Sequence, residues 1–235
     1  MSYKVIFNGI YHFEEMVNGQ KLIHKPKNMG KYIDEVHVWE LLKANHRSVV
    51  LARMTEFEKA AKIVQQDNIC GKVIKELAKW IAWQIGVFDV QKGLFIVGAT
   101  GCGKTCLILA VQQTLRQLND ERCFAFKVMK DVSLQFQISR NYLDIQPYYD
   151  RNWCIDDMGY AEETVIDYGN RINLVDTIIC QRYVNSNRSR IFTHITTNLS
   201  KSDMVVKYDS RTIDRFYEMC NLVDMRKVES FRKPK

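Results

Sequence analysis

The chain lacks a CxxC pair, a long apolar run and any proline- or glycine-rich tract, and each absence narrows what it can be. Its seven cysteines (Cys70, Cys102, Cys106, Cys123, Cys154, Cys180 and Cys220) are odd in number and never spaced as CxxC, which excludes a secreted disulfide framework and a zinc knuckle. Reduced thiols in a cytoplasmic protein are the expectation. No apolar stretch approaches the roughly 20 residues of a membrane span, and the opening MSYKVIFNGIYHFEE turns acidic before a signal-peptide core can form. With three prolines and eleven glycines in 235 residues, breakers are scarce enough to carry information where they occur. What is present is an ordinary globular composition, 46% apolar and 26% charged, with 34 basic against 27 acidic residues. The resulting charge of +7 leans toward an anionic partner such as a nucleotide or nucleic acid.

Two compositional regimes divide the chain. A strand over 3–10, a loop over 24–32 and a mixed, helix-leaning stretch over 34–66 make up a small N-terminal segment, residues 1–68. Over 69–85 the apolar residues Val73, Ile74, Leu77, Trp80, Ile81 and Ile85 recur at three-and-four spacing, the signature of an amphipathic helix. From about residue 88, short apolar runs (94–97, 123–128, 153–155) alternate with helical patterns (105–118, 132–142). Buried strands alternating with crossover helices are the sequence form of an α/β fold with a central parallel sheet flanked by helices. The basic end, RKVESFRKPK, reads as a frayed tail.

Directly after the run Leu94–Val97 comes GATGCGKT, which fits GxxxxGKT and opens a helix carrying Leu107, Ile108, Val111 and Leu115 inward. Strand before and helix after are the context of a P-loop. Glycines there let successive amides converge on phosphate oxygens, the helix N-terminus adds partial positive charge, Lys104 reaches the β and γ phosphates, and the Thr105 hydroxyl can hold magnesium. Gly98, Ala99, Thr100, Gly101, Cys102, Gly103, Lys104, Thr105 and Cys106 are thus the expected nucleotide-binding residues. Downstream, the apolar run Trp153–Ile155 ends in Asp156 and Asp157, placing two carboxylates at the sheet edge where open α/β folds bind ligands. Asp156 is read as a magnesium ligand, direct or through water, and Asp157 as the group that orients or deprotonates the attacking water. Phosphate-hydrolysing proteins of this kind usually place glutamate at the second position, so Glu162 or Glu163 is an alternative base.

A further β-branched run, 191–198, ends in Asn198, read from spacing alone either as a turn residue or as a sensor of the γ-phosphate. The second role requires this strand to lie between the P-loop strand and the acidic strand. Arg211 and Arg215 then fall four apart on one helical face, where they either pair with Asp214 and Glu218 or meet a transferring phosphoryl group.

GATGCGKT, CIDDMG, ITTNLS and SRTIDRFYEM, in that order over about residues 69 to 223, resemble the AAA+ ATPases of the DnaC and IstB type, the helicase loaders and transposition helpers. The resemblance implies a P-loop NTPase (AAA+ type) domain over 69–235, with no separate lid domain, using ATP and Mg2+. It implies self-association through ATP-bridged interfaces, with Asn198 at the sensor position, Arg215 as the residue most like a finger inserted into a neighbouring subunit, and Arg211 as its companion. It also implies single-stranded DNA and a replicative helicase as partners. Residues 1–68 fall outside the resemblance and are the candidate helicase-gripping segment by position alone, while Arg188, Arg190 and the basic tail are either contacts to DNA phosphates or a solvated charged face. A transposition ATPase and an ATP-locked binding module are the rival roles. A GTPase is disfavoured because Ser200–Asp203 supplies no NKxD box, and a small-molecule kinase leaves the sensor and arginine pair unused.

Overall fold

A computed structural model describes residues 2–7, 10–17, 20–24, 35–53, 70–84, 86–160, 162–167, 169–228 and 230. The expected loop after His24, residues 54–68 and residues 231–235 of the basic tail lie outside them. The chain divides into two compact units, residues 1–90 with 109–120, and residues 91–108 with 121–235.

In the first unit, β1 (Ser2–Phe7), β2 (Ile10–Val17) and β3 (Gln20–His24) form an antiparallel sheet, so the expected single strand over 3–10 is two strands. Helix α1 (Glu35–Arg53) packs on α2 (Cys70–Ile81), burying Val38, Leu42 and Val49 along one stripe and Ile74, Leu77 and Ile81 along the other. Each such side chain, fully buried, contributes about 1.5–3 kcal/mol. Helix α2 stops short of the periodic pattern because the backbone turns left-handed at Trp83 (φ 59°), while Trp80 Nε1 donates to the Asp89 carbonyl at 3.1 Å and the Val87 amide to Glu76 Oε2 at 3.0 Å.

The second unit is built on a parallel sheet of β4 (Gly93–Val97), β5 (Ala125–Val128), β6 (Trp153–Met158), β9 (Thr193–Thr197) and β10 (Cys220–Asp224), in the order β10-β4-β9-β6-β5. Every residue of β4 and β9 is buried, as expected of strands covered on both faces. Helix α3 (Lys104–Gln117) follows β4, and α4 (Met129–Ser139) follows β5. A β7 (Thr164–Asp167) and β8 (Asn170–Asn173) hairpin precedes α5 (Leu174–Ser186), and α6 (Lys201–Lys207) and α7 (Ser210–Met219) connect β9 to β10. Phe95, Ile155 and Ile195 from the sheet meet Phe136, Ile178 and Phe216 from the helices in one core, with Phe95 and Phe216 ring centroids 5.3 Å apart. Side chains start the connecting helices: Asn173 accepts from the Val175 amide, Ser200 and Asp203 form a reciprocal box, and Asp209 accepts from the Arg211 amide. The Ser200–Asp203 run that fails as a guanine-reading box is thus a helix start.

Three basic side chains are wholly buried: Arg122, Arg182 and His194. Arg182 spends its guanidinium on oxygens, donating to Thr193 Oγ1 (2.9 Å), the Phe192 carbonyl (2.9 Å) and the Tyr148 carbonyl, which ties α5 to the start of β9. His194 stacks on Phe124 with ring centroids 4.2 Å apart. Burial, reinforced by Arg182 and Arg122, drives its pKa down to about 3. Among the described residues no helix is long and apolar enough to cross a membrane.

Because His194 is neutral in the fold and protonates near its ordinary 6.5 once unfolded, the unfolded chain binds the extra proton between these values. Its contribution to stability is complete above pH 6.5 and is lost as pH falls toward about 3. Denaturant titrations should give a shallower acid limb for His194→Gln than for the wild type across that window; parallel limbs would refute it.

Candidate nucleotide site

The sheet order sets the site. Strand β9 lies between β4 and β6, so the turn after β4, the acidic end of β6 and the residue after β9 emerge side by side at the carboxyl edge. The Gly98 amide donates to the Thr197 carbonyl at 3.2 Å, which fixes the start of the P-loop to β9. Gly101 and Gly103 take φ of 84° and 93°, angles a Cβ would resist. Helix α3 opens at Lys104, whose buried ammonium donates to the carbonyls of Gly98 (2.9 Å) and Ala99 (3.0 Å). Cys102 is buried within the loop, and desolvation raises its thiol pKa against the pull of Lys104, leaving a poor nucleophile. Cys106 is half-buried in the first turn of α3.

Thr105, also in that first turn, donates to both carboxylate oxygens of Asp156, at 3.2 and 3.1 Å. Asp156 is buried, whereas Asp157 is half-buried. Strand β6 does not stop before the two acids but runs through them to Met158, losing register with β9 between Ile155 and Met158. The cause is local. Asp157 adopts a left-handed backbone (φ 53°), its amide donates to Thr196 Oγ1 at 3.0 Å, and Thr197 Oγ1 donates to the Met158 carbonyl at 2.6 Å. The irregularity turns two consecutive residues away from simple in-and-out alternation.

Beyond the bulge, Gly159 has φ 93°, and a Cβ there would lie 2.4 Å from Leu199 Cδ1 and 2.5 Å from its Cγ. The Gly159 amide donates to Glu163 Oε1 at 2.7 Å and its carbonyl accepts from Lys207 Nζ at 2.9 Å. The other Glu163 oxygen accepts from Tyr208 Oη at 2.7 Å and lies 3.3 Å from Lys207 Nζ. Burial raises the Glu163 pKa, while the Gly159 amide, Tyr208 and Lys207 pull it back. Both oxygens of this carboxylate are committed to the fold. Glu162 is exposed and accepts from the Thr164 amide at 3.0 Å.

Asn198 is exposed just past β9, and its Nδ2 approaches Thr100 Oγ1 of the P-loop at 3.5 Å. The arginines differ. Arg215 is half-buried, its guanidinium against Cys180 Sγ and 5.0 Å from the Tyr183 ring centroid, both on α5. Arg211 is exposed one turn earlier. Since α7 leads directly into β10, whose first residue pairs with Gly93 at the amino edge, Arg211 lies about 6 Å farther along the helix from that edge. Arg188 and Arg190 sit in the turn between α5 and β9, at the amino edge and not beside the P-loop, with Arg190 3.2 Å from Glu121 Oε1. Thr196, Glu163 as a structural hub, the β7–β8 hairpin and β10 are not readable from the sequence; for Thr196 the one signal is a hydroxyl within the β-branched strand run ending in ITTN.

No protein-family profile matches the chain, and no curated protein matches its sequence. Among solved structures, the chain is similar to the DnaC helicase loader over 72% of its own length and 99% of that chain (TM-score 0.50, 20% identity). It is also similar to DnaI over 76% of its own length and 93% of that chain (TM-score 0.55, 15% identity). At these identities the likeness is one of fold, a central parallel sheet flanked by helices of the P-loop/AAA+-like α/β kind. In this chain's sheet, β9 lies between the strand before the glycine turn and the acidic strand, the strand order that the sensor reading of Asn198 requires.

The residues present suit magnesium bound with a triphosphate. Among the described residues no group of three or more His, Cys, Asp or Glu side chains forms a metal cage. Mg2+ held with nucleotide needs only one or two protein oxygens, because phosphates and waters complete its shell, and Thr105 and Asp156 supply such a pair.

Gly159→Ala should cost about 2–4 kcal/mol by combining a left-handed backbone with the Leu199 collision. In a Leu199→Ala background the collision is relieved, and the same change should cost only about 1–2 kcal/mol. Equal costs in the two backgrounds, read from urea midpoints, would contradict the packing described.

Proposed function

We propose that the chain is an ATP-hydrolysing accessory ATPase of DNA replication, of the helicase-loader type, which binds single-stranded DNA and a replicative helicase and completes its active site between subunits. The observation that carries the ATPase reading is the convergence of Thr105 on Asp156 beside a glycine turn of P-loop geometry, with Asn198 at the neighbouring strand end. The named relatives, a helicase loader and DnaI, support the replication role; residues 1–68 as the helicase-gripping segment follow the sequence reading.

In this mechanism the amides of residues 98–106 and the N-terminus of α3 cradle the phosphates, and Lys104 exchanges its carbonyl partners for β and γ phosphate oxygens. Thr105 and Asp156 would hold Mg2+, which when bound would supply positive charge against the phosphates. Asp157 orients a water and accepts its proton as the water oxygen bonds to the γ-phosphorus and the bond to the β–γ bridging oxygen breaks, releasing ADP and phosphate. Glu163, buried with both oxygens engaged, is unsuited to this step. Asn198 positions the water or the γ-phosphate. The family resemblance favours Arg215 as the residue acting on a neighbour's nucleotide, whereas exposure favours Arg211, with Arg215 bracing α7 against α5. We assign the trans role to Arg211. Aspartate at 157, one methylene shorter than glutamate, supports a second reading in which ATP mainly locks an assembly and turnover is slow.

Lys104→Ala should abolish binding of a fluorescent ATP analogue, and unaltered hydrolysis would overturn the site. Arg211→Ala should bind ATP normally yet lose about a thousandfold in turnover, with activity partly restored on mixing with Lys104→Ala. Failure of the mixture to regain activity would remove the shared-site arrangement. A pull-down with a hexameric replicative helicase, in ATP and in ADP, tests the partner; no capture in either state would count against the loader role.

A further inference from the structure

Thr196 is fully buried in β9, a strand whose other neighbours in the site are judged by what they offer a phosphate, yet it faces two acids. Its Oγ1 donates to Asp156 Oδ1 at 2.7 Å and accepts the Asp157 amide at 3.0 Å. A hydroxyl has one proton and two lone pairs, so one proton and one lone pair are committed to adjacent residues of β6. These bonds sit where β6 loses register with β9 and where Asp157 takes its left-handed backbone. Asp tolerates that conformation better than most residues, but it still needs surroundings that hold it there.

We propose that Thr196 is a positioning residue for ATP hydrolysis, aiming both carboxylates of the acidic pair through one oxygen. The inference rests on the ATPase reading above. Holding Oδ1 of Asp156 fixes the rotation of that carboxylate, whose two oxygens lie 3.2 and 3.1 Å from Thr105 Oγ1, so the pair that would hold the cation keeps a set orientation. Holding the Asp157 amide fixes the backbone from which the shorter acid must reach its water. A valine at this position would fill the same volume with neither hydrogen bond.

Nucleotide binding and hydrolysis of Thr196→Val and Thr196→Ser, measured against wild type with ATP across a Mg2+ titration, test this. Thr196→Val should bind the fluorescent ATP analogue in EDTA within about twofold of wild type. Its kcat should fall about 10–100-fold and its half-saturating Mg2+ should rise about tenfold, as when the partner of a metal ligand is removed. Thr196→Ser, retaining the hydroxyl, should return kcat to within about threefold of wild type. Should the valine variant fail to fold by thermal melting, Thr196→Cys, close in size and a weak hydrogen-bonder, makes the same comparison. A valine or cysteine variant with wild-type kcat and Mg2+ dependence, or a serine variant as impaired as valine, overturns the role of Thr196 alone. Wild-type protein that neither binds nor hydrolyses ATP overturns the ATPase reading, and this role with it.

Discussion

The carboxylate of Asp156 is the meeting point of three elements. It comes from β6, receives the Thr105 hydroxyl from α3 and the Thr196 hydroxyl from β9, and lies buried at the carboxyl edge of the sheet. An isolated carboxylate there would be expensive to desolvate, and hydrogen bonds from flanking hydroxyls offset that cost while fixing its direction. The start of α3, the bulged end of β6 and the end of β9 are thereby held in register, since none can shift without breaking a bond to the same group. Outside this centre, Glu163 does for the exit from β6 what Thr196 does for its end. It joins Gly159 to Lys207 and Tyr208 at the junction of α6 and α7, so the helix bearing both arginines is connected to the turn after the acids.

Much of this arrangement is legible in the residue order because the relevant signals are local. A glycine-spaced turn between an apolar run and an amphipathic helix needs little tertiary information, and the strand and helix about Gly98–Thr105 fall within one residue of the pattern. The position of β9 between β4 and β6 follows from requiring its polar end to face the phosphate loop. The rest depends on long-range register. The β6 bulge arises from a hydroxyl 39 residues downstream of Asp157, and a periodicity within WCIDDM carries no trace of it. Likewise Glu163 reads as an alternative base in CIDDMGYAEE until the fold brings Tyr208 and Lys207 to it. Strand β10 was hidden because CNLVD is short and half exposed, as suits an edge.

The arginine pair illustrates how a motif and its geometry can separate. Spacing places Arg211 and Arg215 on one face, but contact with α5 gives them different surroundings. A guanidinium over Tyr183 and against Cys180 is held by packing as well as charge, while an exposed one keeps its planar fork available for a phosphate. Two residues that look equivalent in DSRTIDRF therefore enter the chemistry from unequal starting points.

Strand β4 is flanked in the sheet by β9 and β10, both made from the last fifth of the chain, and the Met225 amide donates to the Val97 carbonyl at 2.7 Å immediately before the phosphate turn. During synthesis the glycine turn and its lysine leave the ribosome long before either flank exists. Closing such distant pairings is entropically slow, so the nascent chain passes through an interval in which its most apolar strand has two open edges. Quality control by chaperones and proteases would act in that interval, before the sheet closes around this strand.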